Sequence, residues 1–204
     1  MKSSQLFKNI IKCSIAMTVI CMMTGCGDDE ALATLSRNSI VIHEDHTVDT
    51  YISEDFDTSV YSDIELMDFL NKEVTEYTSL NPGSVTVGDT RLENNHISLN
   101  ISYSSIKACN DNMDGILFIG TVGDAFDNNV DMNVSLYVVG AGIKTVGKLD
   151  LKDMRDEKLI VVNGKYTIRA PGKIKYYSQW MDLLDDYTVQ PLEDKGSSYY
   201  IIYE

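Results

Sequence analysis

The chain is short of the residues that build metal and redox sites. Histidine occurs three times, tryptophan once and cysteine four times in 204 residues. Cys13, Cys21 and Cys26 crowd near the start, which leaves Cys109 as the single thiol in the long remainder. A lone cysteine has no partner for an internal disulfide, so that remainder must be held by its apolar core. Cys109 itself reads as a small buried apolar residue rather than a nucleophile, which would need a histidine and a lowered pKa. Basic residues are scarce too, 17 against 31 acids, for a net charge of −14. Such a surface repels nucleic-acid phosphates and anionic lipid heads, so no nucleic-acid partner is expected. It leaves cations, basic partners or plain solubility as its use. No apolar run reaches the ~20 residues that a membrane-spanning helix requires.

What is present begins with Lys2, Lys8 and Lys12, followed by an apolar run from Cys13 to Met23 broken only by Ser14 and Thr18. A basic start, a short apolar core and small residues before a cut are the marks of an export signal. Met23-Thr24-Gly25-Cys26 resembles the lipobox of bacterial lipoproteins, with Met23 where leucine is usual. The resemblance implies cleavage between Gly25 and Cys26 and a diacylglyceryl thioether on Cys26. The protein would then sit on the extracytoplasmic face of the cell membrane, held by acyl chains worth ~0.8 kcal/mol per buried methylene. The expected organisation is a signal peptide over 1–25, a flexible tether over 26–38, and an α+β domain, or two small subdomains, over 39–204.

Periodicity outlines that domain. Residues 39–43 and 48–55 read as strands with Glu44-Asp45-His46-Thr47 as the polar turn between them. Over 63–77, Ile64, Met67, Leu70, Val74 and Tyr77 recur at helical spacing, with Ser62 or Asp63 to cap the start and Asn81-Pro82-Gly83 to end the segment. Residues 84–92 and 96–103 form a hairpin through Asn94-Asn95, and Ile97, Leu99, Ile101 and Tyr103 alternate with polar residues. Residues 105–112 suggest a short helix and 116–122 a buried strand, while 123–129 reads as polar loop. Alternation returns over 131–139. Asn163-Gly164 between apolar runs predicts a second hairpin, of 159–162 with 165–169. Further strands are expected over 173–178 and 198–203. The fold class predicted is an antiparallel sheet of short strands and hairpins with one main helix, 63–77, packed on it.

Three stretches, Phe118-Ile119-Gly120-Thr121-Val122-Gly123-Asp124-Ala125, Ala170-Pro171-Gly172-Lys173-Ile174-Lys175-Tyr176 and Tyr200-Ile201-Ile202-Tyr203, are similar to small lipoproteins of low-GC Gram-positive bacteria that have no assigned activity. The resemblance implies a surface lipoprotein and no catalytic residue.

Motifs that could carry chemistry are incomplete. Gly142 to Lys148 matches G-x-x-x-x-G-K, but Leu149 stands where the magnesium-binding Ser or Thr belongs. Asn110, Asn112, Asp114 and Gly115 copy early positions of a calcium loop, but Thr121 replaces its bidentate glutamate. His43-Glu44-Asp45-His46 offers ligands on a turn, which does not aim residues three apart at one ion as a helix does. No G-x-S-x-G marks a nucleophilic serine. Abundant acids, Asp55-Asp57 and Asp185-Asp186 among them, permit carboxylate-pair hydrolysis without selecting a pair. No cofactor and no metal are expected. Twelve tyrosines remain, notably Tyr176 and Tyr177 near Trp180, and Tyr199, Tyr200 and Tyr203. Over 173–178, strict alternation would put Tyr177 on the outer face beside Lys173 and Lys175, as a possible contact patch or a lysine-guarded strand edge. The leading reading is therefore a lipid-anchored, non-catalytic surface domain that binds a protein, wall polymer or carbohydrate. The alternative is an exported hydrolase using two carboxylates.

Overall fold

The computed structural model describes residues 38–55, 62–93, 95–113, 116–141, 144–192 and 198–204. The segment read as a signal peptide (1–25), Cys26 and residues 27–37 of the expected tether lie outside them, as do Asp57, Asn94, Asp114, Gly115, Gly142 and Ile143. The fold is mixed α+β, with sheets of mostly antiparallel strands and few helices. The described residues divide into two compact units, 38–41 with 45–113, and 42–44 with 116–204.

The first unit contains β1 (Ser39–Ile42), β2 (Val48–Asp55), α1 (Asp63–Leu80), β3 (Val85–Glu93), β4 (His96–Tyr103) and α2 (Ile106–Asn112), its strands ordered β1-β2-β4-β3. Period two is realised in β4, where Ile97, Leu99, Ile101 and Tyr103 are buried and the residues between them are half-buried. Strand β4 pairs antiparallel with β3, Glu93 opposite His96, and Asn95 takes the positive φ of 63° that the tight turn demands. Helix α1 opens on a capping box. The Ser62 hydroxyl accepts from the Glu65 N–H at 3.2 Å, and the Glu65 carboxylate accepts from the Ser62 N–H at 3.1 Å. The backbone bond holds the Glu65 carboxyl below the usual glutamate range. The predicted apolar stripe does not hold at its first position, because Ile64 is 73% exposed.

The second unit contains β5 (Leu117–Thr121), α3 (Val122–Asp127), β6 (Leu136–Val138), β7 (Thr145–Val146), α4 (Lys148–Leu151), β8 (Lys158–Asn163), β9 (Thr167–Arg169), β10 (Ile174–Ser178), β11 (Met181–Leu183), β12 (Thr188–Pro191) and β13 (Ser198–Tyr203). Six of its strands form an antiparallel sheet ordered β5-β8-β13-β10-β6-β7, and β11-β12-β9 run side by side. Strands β8 and β13 are near-continuous apolar runs, and Leu159 to Val162 and Tyr199 to Tyr203 are buried throughout. Residues facing both ways from the ladder are thus out of water, which places these strands inside the sheet.

This preference overrides the Asn163-Gly164 signal. Gly164 does take positive φ, but β8 pairs with β5 and β13, while β9 pairs with β12. The chain turns there without making a hairpin. One sheet face is covered by Val122 and Ala125 of α3, Leu151 of α4 and Met132, which pack with Leu136, Leu159, Val161, Tyr200 and Ile202. Among the described residues there are thus four helices, where one main helix and a short one over 105–112 were expected, and none is long and apolar enough to cross a membrane.

Candidate functional site

Strand β10 carries the predicted patch, and its geometry departs from strict alternation. Ile174 lies opposite Tyr203 and Tyr176 opposite Ile202, so the register slips at Lys175 in a β-bulge. An extra residue reverses the parity of the residues beyond it. Tyr176 therefore joins the cluster around Ile202, and Tyr177, opposite Ile201, shares the face of buried Ile174. Tyr177 is half-buried, its ring set edge-on to Tyr137 at 5.9 Å. The outer-face placement of Tyr177 beside both lysines is thereby corrected.

The lysines themselves meet acids. Lys173 Nζ donates to Asp186 Oδ2 at 2.6 Å, and Lys175 Nζ to Glu157 Oε2 at 2.8 Å. These hydrogen bonds raise both ammonium pKa values. The closing tyrosines are core rather than platform, since Tyr199, Tyr200 and Tyr203 are buried. Exposed apolar surface gathers instead at β11–β12. Trp180, Leu184, Tyr187 and Leu192 are all exposed, and the Leu192 N–H donates to the Trp180 carbonyl at 2.9 Å, which makes those two neighbours.

The calcium-like segment is occupied by structure. Asn112 lies in α2, and its amide donates to the Ala108 carbonyl at 2.7 Å. After Gly147 the helix α4 has only four residues. In the 43–46 turn, Asp45 accepts from the Thr47 N–H and hydroxyl at 3.0 and 2.7 Å, a side-chain-closed turn. Among the described residues no group of three or more His, Cys, Asp or Glu could hold a metal ion.

The pairing of β2 with β4 assembles a group that sequence reasoning passed over. Asp55 lies directly opposite His96, and Ser53 opposite Ser98. Ser53 and Asp55 both alternate away from buried Val48, Thr50 and Ile52, so they share the outer face with His96. Ser53 Oγ is 2.8 Å from His96 Nε2, and His96 Nδ1 is 3.2 Å from Asp55 Oδ1. Asn38 braces the strand from its other side, accepting from the Ser53 N–H at 2.8 Å and donating to Glu54 at 2.6 Å. The signal that could have found this group was the outward set of each period-two strand. What was missing was the partner, because β3 intervenes between β2 and β4 in sequence but not in the sheet.

The chain matches no family model, no curated protein and no solved structure. The residues themselves must carry any reading of function.

Proposed function

We propose that this chain is a lipid-anchored lipoprotein of the cell membrane's outer face, whose folded part acts by contact with a protein, wall polymer or carbohydrate. The observation that carries the anchoring is Met23-Thr24-Gly25-Cys26 behind a basic, then apolar, leader. Contact is supported by the exposed Trp180, Leu184, Tyr187 and Leu192, since aromatic side chains supply much contact area for little lost freedom. Ion pairing points the same way. Asp127 pairs with Arg155, Glu157 with Lys175 and Asp186 with Lys173, acid to base rather than carboxylate to carboxylate. We also propose that α1 lies on the sheet of the first unit, on the side of its neighbour β3.

Cys26→Ala should leave an unprocessed precursor or release the protein from membranes. Mass spectrometry of the N-terminus and membrane fractionation read the outcome, and an unacylated N-terminus elsewhere in the wild type would refute the anchor. Trp180→Ala with Leu192→Ala should abolish retention of the chain on cell-wall material or partner protein while leaving circular dichroism unchanged. Retention equal to wild type would remove β11–β12 as the contact surface.

A further inference from the structure

Beyond anchoring and contact, we infer that Ser53 is an activated nucleophile, with His96 as its general base and Asp55 as the residue that positions His96, and that it is acylated by small, uncharged esters. Expectation from the missing G-x-S-x-G ran the other way. That motif describes one backbone route to an exposed serine, whereas the chemistry depends on the side-chain relay, which recurs on unrelated folds.

The relay follows from what each atom can donate. An ionised carboxylate can only accept, so the 3.2 Å contact of His96 Nδ1 with Asp55 Oδ1 requires the proton on Nδ1. A neutral imidazole protonated there has its lone pair on Nε2. Ser53 Oγ, 2.8 Å from Nε2, must then be the donor. The hydroxyl thus points its proton at a base whose tautomer is fixed from behind, the arrangement that activates a serine. A polar ladder between strands would be satisfied by a single cross-strand bond. Here both imidazole nitrogens are engaged, and in the order that catalysis needs. Ser53 is held in turn by the Asn38 bond to its N–H.

The setting decides the substrate class. The Asp55 side chain is fully exposed and that of His96 is 38% exposed, so the relay lies on an open sheet face. Asp49 and Asp55 project from the same face of β2 as Ser53, and Arg91 of β3, opposite Ser98, projects from that face as well, so charges of both signs stand there and neither anionic nor cationic esters are favoured. Small neutral esters with good leaving groups therefore fit best. As the bond from Ser53 Oγ to the ester carbonyl carbon forms, the hydroxyl proton passes to His96 Nε2. When the bond to the leaving alcohol breaks, His96 returns that proton to it. Water, deprotonated by the same nitrogen, then attacks the acyl carbon; as the bond to Ser53 Oγ breaks, His96 returns the proton to that oxygen, which restores the hydroxyl and releases the carboxylic acid.

The full chain should be incubated with p-nitrophenyl acetate, and separately with an alkyl fluorophosphonate, and the modified peptide mapped by mass spectrometry. Ester cleavage should exceed that of the Ser53→Ala variant, and in the unmutated chain the label should lie on Ser53. His96→Gln should slow labelling by about 10²–10⁴-fold, the usual contribution of a positioned base. Asp55→Asn should slow it through the wrong tautomer, whereas Ser98→Ala, on the same face, should leave it unchanged. Label found on other residues, cleavage equal in Ser53→Ala, or a rate indifferent to His96→Gln would each overturn the assignment. Because the label is mapped in the unmutated chain, a variant that fails to fold does not blunt the test. Failure here leaves the Cys26 and Trp180 readouts untouched.

Discussion

Replacing Ile202 by alanine tests the two-faced burial of the second unit most directly. Ile202 is wholly buried and sits abreast of Leu159 in β8 and Tyr176 in β10, so it has a neighbour on each side within the ladder. Helices α3 and α4 lie over the same face through Val122, Ala125 and Leu151. Three carbons are lost, worth roughly 2.4 kcal/mol at ~0.8 kcal/mol per methylene. The cavity adds to this, because a residue walled on three sides cannot be filled by collapse, so about 3–5 kcal/mol is expected. That corresponds to a fall in Tm of about 6–20 °C for a chain of this size. Ile202→Val should cost only about 0.5–1.5 kcal/mol. The assay is urea unfolding followed by the fluorescence of Trp180, the single tryptophan, which lies in the same unit. Leu149→Ala is the control, since Leu149 is equally apolar but 78% exposed, and it should stay within about 0.5 kcal/mol of wild type. An Ile202→Ala variant within about 1 kcal/mol of wild type, or a Leu149→Ala as costly as it, would refute the packing argument.

Two further outcomes follow from local geometry. A Cβ at Gly172 would strike the Glu204 carbonyl oxygen and crowd the Tyr203 ring, so Gly172→Ala should lower the urea midpoint by about 1–3 kcal/mol equivalent; an unchanged midpoint would contradict that approach. Burial raises the Tyr200 and Tyr203 phenol pKa values, so their neutral forms favour the fold. Their contribution is fully present below the unfolded value of about 10 and is lost as pH climbs through the raised folded values. Stability measured from about pH 8 to about pH 11 should therefore fall, and Tyr200→Phe should fall less steeply.

Where local signals and burial agreed, the sequence was legible. Residues 48–55 and 96–103 are the strands their alternation predicted, and Ser62, the residue with glutamate three positions on, caps α1. Elsewhere the deciding partner was remote. Residues 123–129 read as loop because Asp124, Asp127 and Asn128 are polar, and of the three residues that α3 buries, Val122, Gly123 and Ala125, one is a glycine. Its capping box bonds Thr121 and Asp124 in both directions at 3.0 and 2.8 Å, at the same spacing as Ser62 and Glu65. Lys175 gave no hint of a bulge, since a bulge is a property of two strands and not of one. Strands β7, β11 and β12 are two to four residues long, too short for any periodicity. Ser53, His96 and Asp55 each read as an ordinary outward polar residue until β2 and β4 were placed side by side.

The position of β13 also bears on how this chain comes into being. It is formed by residues 198–203, yet it stands between β8 and β10 in the sheet, with Tyr203 meeting Lys158 on one side and Ile174 on the other. Neighbours so distant in sequence close slowly, because long loops must be ordered before any contact rewards them. During synthesis, β8 and β10 thus wait with unpaired apolar edges until residues 198–203 have emerged, and unpaired edges of that kind invite association with other chains.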